Sequence, residues 1–140
     1  MKRKISVYIA SNFELKDQVE RLAKSLKYLG MRITREWWLV NTRNIILPEE
    51  EWYLNDAVRI QHKLDFVAIS HSDIFILLSD EQNAQTFIGA NIELGYALAK
   101  KKVCFSVGKL QKSAMYVPVV KFKNVAELLT KLKSGDWIKK

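Results

Sequence analysis

"DIFILLSDEQNAQTFIGANIELGYALAKKKVCFSVG", residues 73 to 108, holds the pattern that decides the fold. It opens on "DIFILLS", an apolar run of the kind seen in a strand covered on both faces, and closes on a second such run, "KVCFSVG". Between them, after the polar loop "DEQNAQTF", the spacing predicts a helix from about Ala90 to Lys101. Strand, helix and strand in that order make the crossover unit of a parallel sheet.

The same alternation extends in both directions. "KISVYIAS" (residues 4–11) is β-rich and apolar enough to be the central strand. From Glu14 to Gly30 the apolar positions Leu15, Val19, Leu22, Ala23, Leu26 and Leu29 recur at helical spacing, and Gly30 is a natural stop. "MRITREWW" (31–38) reads as a second strand, followed by a long connection in which Pro48 and the acidic run after it suit the start of another helix. One helix is expected across Glu50 to Ser70, with Ala57, Ile60, Leu64, Val67 and Ala68 as its apolar stripe. Beyond residue 108 come a loop, a short strand around "YVPVVKF" and a final helix from Val125 to Lys133. The reading is a single α/β domain over residues 1–140, a doubly wound five-stranded parallel sheet.

Composition bounds the function. With 49% hydrophobic residues the chain can build one core, yet no apolar run approaches the ~20 residues that cross a bilayer, and "MKRK" followed by "ISVYIAS" is too short for a signal peptide. We therefore expect a cytoplasmic protein without membrane contact. The single cysteine, Cys104, sits inside "VCFSV" and reads as a small core residue. A net charge of +8 favours anionic partners, but the lysines are spread over solvated helix faces, with no basic arm interleaved with aromatics, which argues against nucleic-acid binding. His62 and His71 have no partners at ligand spacing, so no metal site is expected, and there is no glycine-rich phosphate loop.

In a doubly wound sheet, ligands collect beyond the carboxyl ends of the strands. That directs attention to "ASNFE" after strand one, "EWW" at the end of strand two, the stretch from Ser79 to Glu93, and "GKLQKSAMY" after strand four. Glu93 shares a helix face with Gly89 and Ala97, a face nearly bare of bulk where a ligand can approach the backbone; a first-turn glutamate complementing the helix dipole is the competing reading. Asp65 lies at the edge of the apolar stripe, where partial burial would raise its pKa; with Glu93 it makes the carboxyl pair that glycosyl transfer needs, while a surface ion pair explains it equally well. Ser11 and Asn12 precede a helix start, as ligand contacts or as caps. Tyr8 alternates with core positions of its strand, and of Trp37 and Trp38, pointing to opposite faces, at most one can stack on a base.

Taken in order, "VYIAS", "LGMRITREWW", "DFVAISHSDIFILLS", "GANIELGYALAKKK" and "SAMYVPVVKFKNVAELLTKL" resemble nucleoside 2-deoxyribosyltransferases and the related 2-deoxynucleoside 5-monophosphate N-glycosidases. The most specific element is G-x-x-x-E-L-G-x-A-x-A, residues 89–99. The resemblance implies a flavodoxin-like fold, no cofactor, a 2-deoxynucleoside or deoxynucleotide with a free nucleobase as reactants, and a homodimer or larger assembly. It assigns Glu93 the attack on the anomeric carbon, Asp65 the protonation of the departing base and Tyr8 the orientation of the nucleophile. Substrate contacts are then expected from Ser11, Asn12, Trp38, Ser79, Gly89 and, toward a neighbouring subunit's site, Met115. One departure stands out: the aspartate or serine that the family carries six residues before its glutamate is Phe87 here. Two other readings remain, an NAD glycohydrolase of the TIR kind and a nucleotide-binding module without turnover.

Overall fold

The computed structural model describes residues 3–40, 46–84 and 87–138. The middle of the connection after the second strand and two positions of the polar loop, Gln85 and Thr86, lie outside them.

Five strands form one parallel sheet: β1 (Ser6–Ala10), β2 (Arg32–Ile33), β3 (Ile74–Leu78), β4 (Val103–Val107) and β5 (Val120–Phe122), in the order β2-β1-β3-β4-β5. This is the flavodoxin-like arrangement. The central strand is β3, not β1, because only β2 lies outside β1 while β4 and β5 lie beyond β3. Both strands are buried along their whole length, so an unbroken apolar run marks a strand with neighbours on each side and not its rank among them.

Period-two alternation sorts the side chains onto two faces. Val7, Ile9, Ile74 and Ile76 point into a cluster closed by α1 (Lys16–Tyr28) and α5 (Val125–Ser134), through Leu22, Leu26 and Leu128. Tyr8, Ala10, Phe75 and Leu77 point the other way, against Ile69 of α3 (Asp56–Ser70) and Leu94 and Ala97 of α4 (Ile88–Ala99). From β1 the chain crosses to the β2 edge, and from β3 to the β4 edge, so the switch point lies between β1 and β3.

Three expectations are corrected. The second strand is only Arg32–Ile33, after which Trp37–Leu39 turns as a short 3-10 segment, so the two tryptophans do not alternate across a strand. The helix expected over Glu50 to Ser70 is two helices, α2 (Glu49–Leu54) and α3, separated by Asn55 in an extended conformation. Asn55 starts α3 by accepting from the backbone N–H groups of Ala57 and Val58 with its side-chain oxygen. Of the apolar stripe proposed for that helix, Ile60, Leu64 and Val67 are exposed; the sheet is met by Ala68 and Ile69.

Gly30, Gly108 and Gly135 hold positive φ, a conformation that most other residues avoid. Gly30 ends the first helical segment at φ 88°, as its position predicts. Gly108, at φ 93° after β4, is pressed so closely to the loop after β3 that a Cβ there would lie 2.4 Å from the Ser79 carbonyl oxygen.

Candidate active site

The site grows out of a hydrogen bond between residues 85 positions apart, in which the Tyr8 hydroxyl donates to Glu93 Oε2 at 2.9 Å. Tyr8 reaches there because it occupies a buried β1 position on the α3–α4 face, its ring stacked on Phe75 of β3 at a centroid distance of 5.8 Å. Glu93 reaches there because α4 begins at Ile88 and turns it inward one residue before the buried Leu94. With that start Glu93 stands in the second helical turn, and the first turn of α4 carries no acidic residue, so the helix-dipole explanation loses most of its force.

Burial is the dominant influence on this carboxyl. It pushes the Glu93 pKa up to about 8; the negative charge of Asp65 adds to the rise, and the Tyr8 hydrogen bond and the Arg35 charge oppose it. The Tyr8 hydroxyl is driven far above the ordinary phenol range, by burial first and then by the two neighbouring carboxylates. It therefore acts only as a neutral hydrogen-bond donor.

Asp65 lies on α3, facing the same space, with 21% of its side chain exposed. Its partner is Arg35, whose Nε donates to Asp65 Oδ1 at 2.6 Å, and the same guanidinium donates through Nη2 to Gln61 Oε1. Burial raises the Asp65 pKa, while hydrogen bonding and charge from Arg35 pull against it. Asp65 is thus a carboxyl shifted toward protonation beside a second one, Glu93, shifted the same way. Two such groups around one crevice can share a proton, one serving as acid while the other serves as nucleophile or base.

The remaining expected contacts fall in different places. The Ser11 hydroxyl donates to the Leu78 carbonyl at 2.7 Å, and Asn12 accepts from the Leu15 N–H, so both tie the loop after β1 to the fold. Trp38 does not face the crevice: it is 4% exposed, inside the cluster on the α1–α5 face. Its neighbour Trp37 stays partly buried and donates through Nε1 to the Ile9 carbonyl at 2.6 Å. Ser79 is 3% exposed and donates to the Lys109 carbonyl, closing the loop after β3 onto the loop after β4; it borders a cavity with Arg21 and Val125 on the α1–α5 side of the sheet, away from Glu93. Gly89 is exposed with open space where a side chain would stand, and Met115 is exposed at a separate cleft with Asn91 and Gly95. Phe87 packs into the core beneath α4.

The spacing arguments missed Arg35 and Gln61. Arg35 lies in "TREWW", at the strand end where ligand contacts were sought, but only the aromatic pair was read there. Gln61 is one helical turn before Asp65 and lines, with Asp65, Trp52, Tyr53 and His62, a recess of about 490 Å³ between α2 and the N-terminal half of α3.

No family model matches the chain, and no curated protein matches it in sequence. Solved structures match it in shape. The CMP N-glycosidase of Clostridium botulinum superposes with a TM-score of 0.59 at 20% identity, covering 91% of this chain and 98% of that one. The fold is theirs in common. The 2-deoxyribosyltransferase of the psychrotolerant bacterium Bacillus psychrosaccharolyticus gives a TM-score of 0.57, again at 20% identity, over 88% of this chain and 89% of that one.

Proposed function

We propose that this protein cleaves or transfers the N-glycosidic bond of 2-deoxynucleosides or their 5-monophosphates. The observation that carries the reading is the hydrogen bond from Tyr8 of β1 to Glu93, with Asp65 close enough for its charge to act on both. The two structures of like fold, by their names a CMP N-glycosidase and a 2-deoxyribosyltransferase, support it.

In this mechanism ionised Glu93 attacks the anomeric carbon, forming a carbon–oxygen bond to the sugar as the carbon–nitrogen bond breaks. The electron pair of the broken bond leaves with the base, and Asp65 supplies a proton to a ring nitrogen of that base. Tyr8 holds the attacking oxygens in place through its hydroxyl. Water or a second base then takes the sugar from Glu93, and the proton lost by that acceptor returns to Asp65. Self-association belongs to the same proposal, supported by the exposed Ile60, Leu64 and Val67 of α3 and Ile88 and Ile92 of α4, on two helices that pack side by side.

The test is chromatographic. Each 2-deoxynucleoside and its monophosphate is incubated with the protein, with and without a second free base, beside a Glu93→Ala control. Base release or exchange that vanishes in the control is the expected result; a folded protein that turns over none of them overturns the proposal.

A further inference from the structure

Arg35 fixes how two residues on the wall of the recess beside α2, Gln61 and Asp65, present their hydrogen-bonding groups. A guanidinium carries only donors, so Gln61 meets it through Oε1 and its NH2 group is turned elsewhere. Asp65 meets the same guanidinium through Oδ1, and its carboxyl lies within hydrogen-bonding reach of the Tyr8 hydroxyl as well, so it stands between the recess and Glu93. Nε and Nη2 are adjacent on the arginine fork, and residues 61 and 65 are neighbours on one helix face, so the two side chains stand side by side.

Both line the recess, whose other walls include the aromatic rings of Trp52 and Tyr53. Because α3 runs back along the sheet to feed β3, its N-terminal half stands at the carboxyl ends of the strands, and Asp65, which lines the recess and acts on Glu93 by its charge, joins the recess to the site. Into that space Gln61 offers only donors. Arg59, also on the wall, adds more donors and no acceptor. Asp65, if it protonates the departing base, donates as well.

We propose that Gln61 and Asp65 act together as adjacent donors that select a nucleobase presenting a ring-nitrogen acceptor beside a carbonyl oxygen. This rests on the general-acid role given to Asp65 above. A 6-oxopurine presents that pair as N7 and O6, and cytosine presents it as N3 and O2. Adenine sets an amino group against the Gln61 NH2, and uracil and thymine set a ring N–H against the acid. Two donors face to face leave both unpaired, which costs more than the absence of one bond.

Two measurements separate this inference from the reaction it rests on. The first compares kcat/KM for 2-deoxyinosine against 2-deoxyadenosine and for 2-deoxycytidine against 2-deoxyuridine, as nucleosides and as monophosphates. At least one pair should favour the first member by about tenfold or more, and which pair does so distinguishes a 6-oxopurine from a cytosine enzyme. Gln61→Met, checked for an unchanged melting temperature, should lose most of that preference, and Gln61→Glu, which puts an acceptor in place of the donor, should turn it toward adenine. The second measures calorimetric binding of hypoxanthine, adenine, cytosine and uracil to Glu93→Ala, which needs no turnover. Preferential binding of hypoxanthine or cytosine without cleavage of any nucleoside sustains the selectivity and sinks the glycosidic-bond reading. Turnover without preference, a preference that survives both Gln61 variants, or no binding of any base overturns the selectivity.

Discussion

A carboxylate that attacks carbon must be ionised, and at Glu93 burial opposes ionisation, holding the pKa near 8 in the folded chain against an ordinary 4.5. Turnover needs Glu93 ionised while Asp65 still holds its proton, so it should rise with pH as Glu93 ionises and fall again as Asp65 is deprotonated; a pH–rate profile without that rise would contradict the nucleophile assignment. The same shift sets a slope in stability. Between about 4.5 and 8 the folded chain keeps a proton that the unfolded chain has released, so this contribution is full below that window and is lost as the pH rises through it. Melting temperatures of wild type and Glu93→Gln should accordingly diverge, wild type falling relative to the variant as pH increases; parallel curves would show that Glu93 titrates normally. Asp65 shifts in the same direction and leaves part of the slope in the variant. For Tyr8→Phe the loss is one hydrogen bond to a charged group, worth about 1.5–3 kcal/mol, or roughly 10- to 100-fold in rate, with the stacked ring and the fold retained.

At the level of elements, periodic sequence exposed most of the fold and part of the site. Runs such as "IFILL" and "VCFSV" are strands because strands buried on both faces are largely apolar, and Glu93 stands out by its small-residue helix face, whereas Tyr8, in the middle of β1, reads as core on spacing and draws a role only from the resemblance. What periodicity could not supply was anything set by distant neighbours. β2 has a partner on one side only and stops after two paired residues, which no local pattern at "MRITREWW" announces, and the turn that follows sends Trp38 into the core. Arg35 meets Asp65 across 30 positions of sequence, so its role is invisible until the chain is folded. The Asn55 cap, by contrast, was legible in "LNDA", an asparagine before an acidic first turn, and the apolar stripe beyond it obscured the break. Gly108 gives this scale its prediction. With its positive φ and no room for a Cβ beside the Ser79 carbonyl, Gly108→Ala should destabilise the chain by more than about 1 kcal/mol. Urea denaturation measures it, and a midpoint equal to wild type would show that the β3 and β4 loops are not locked together there.

For the whole molecule, the open question of shape is which surfaces meet. Ile60, Leu64 and Val67 recur at helical spacing on the outer side of α3, beside Ile88 and Ile92 of α4, and a face of this kind left in water is the expected site of self-association. Sedimentation equilibrium should report a dimer or larger species for the wild type, and Leu64→Glu combined with Ile92→Lys should yield a folded monomer; a wild-type monomer at every accessible concentration would remove the assembly from the proposal. The buried position of Cys104 adds a consequence for such an assembly. It is the chain's one cysteine, 5% exposed, with burial pushing its thiol up to about 11. Copies of this chain have no accessible thiol through which to be welded together. The association proposed above must therefore be non-covalent, so it should reverse on dilution and be indifferent to reductant.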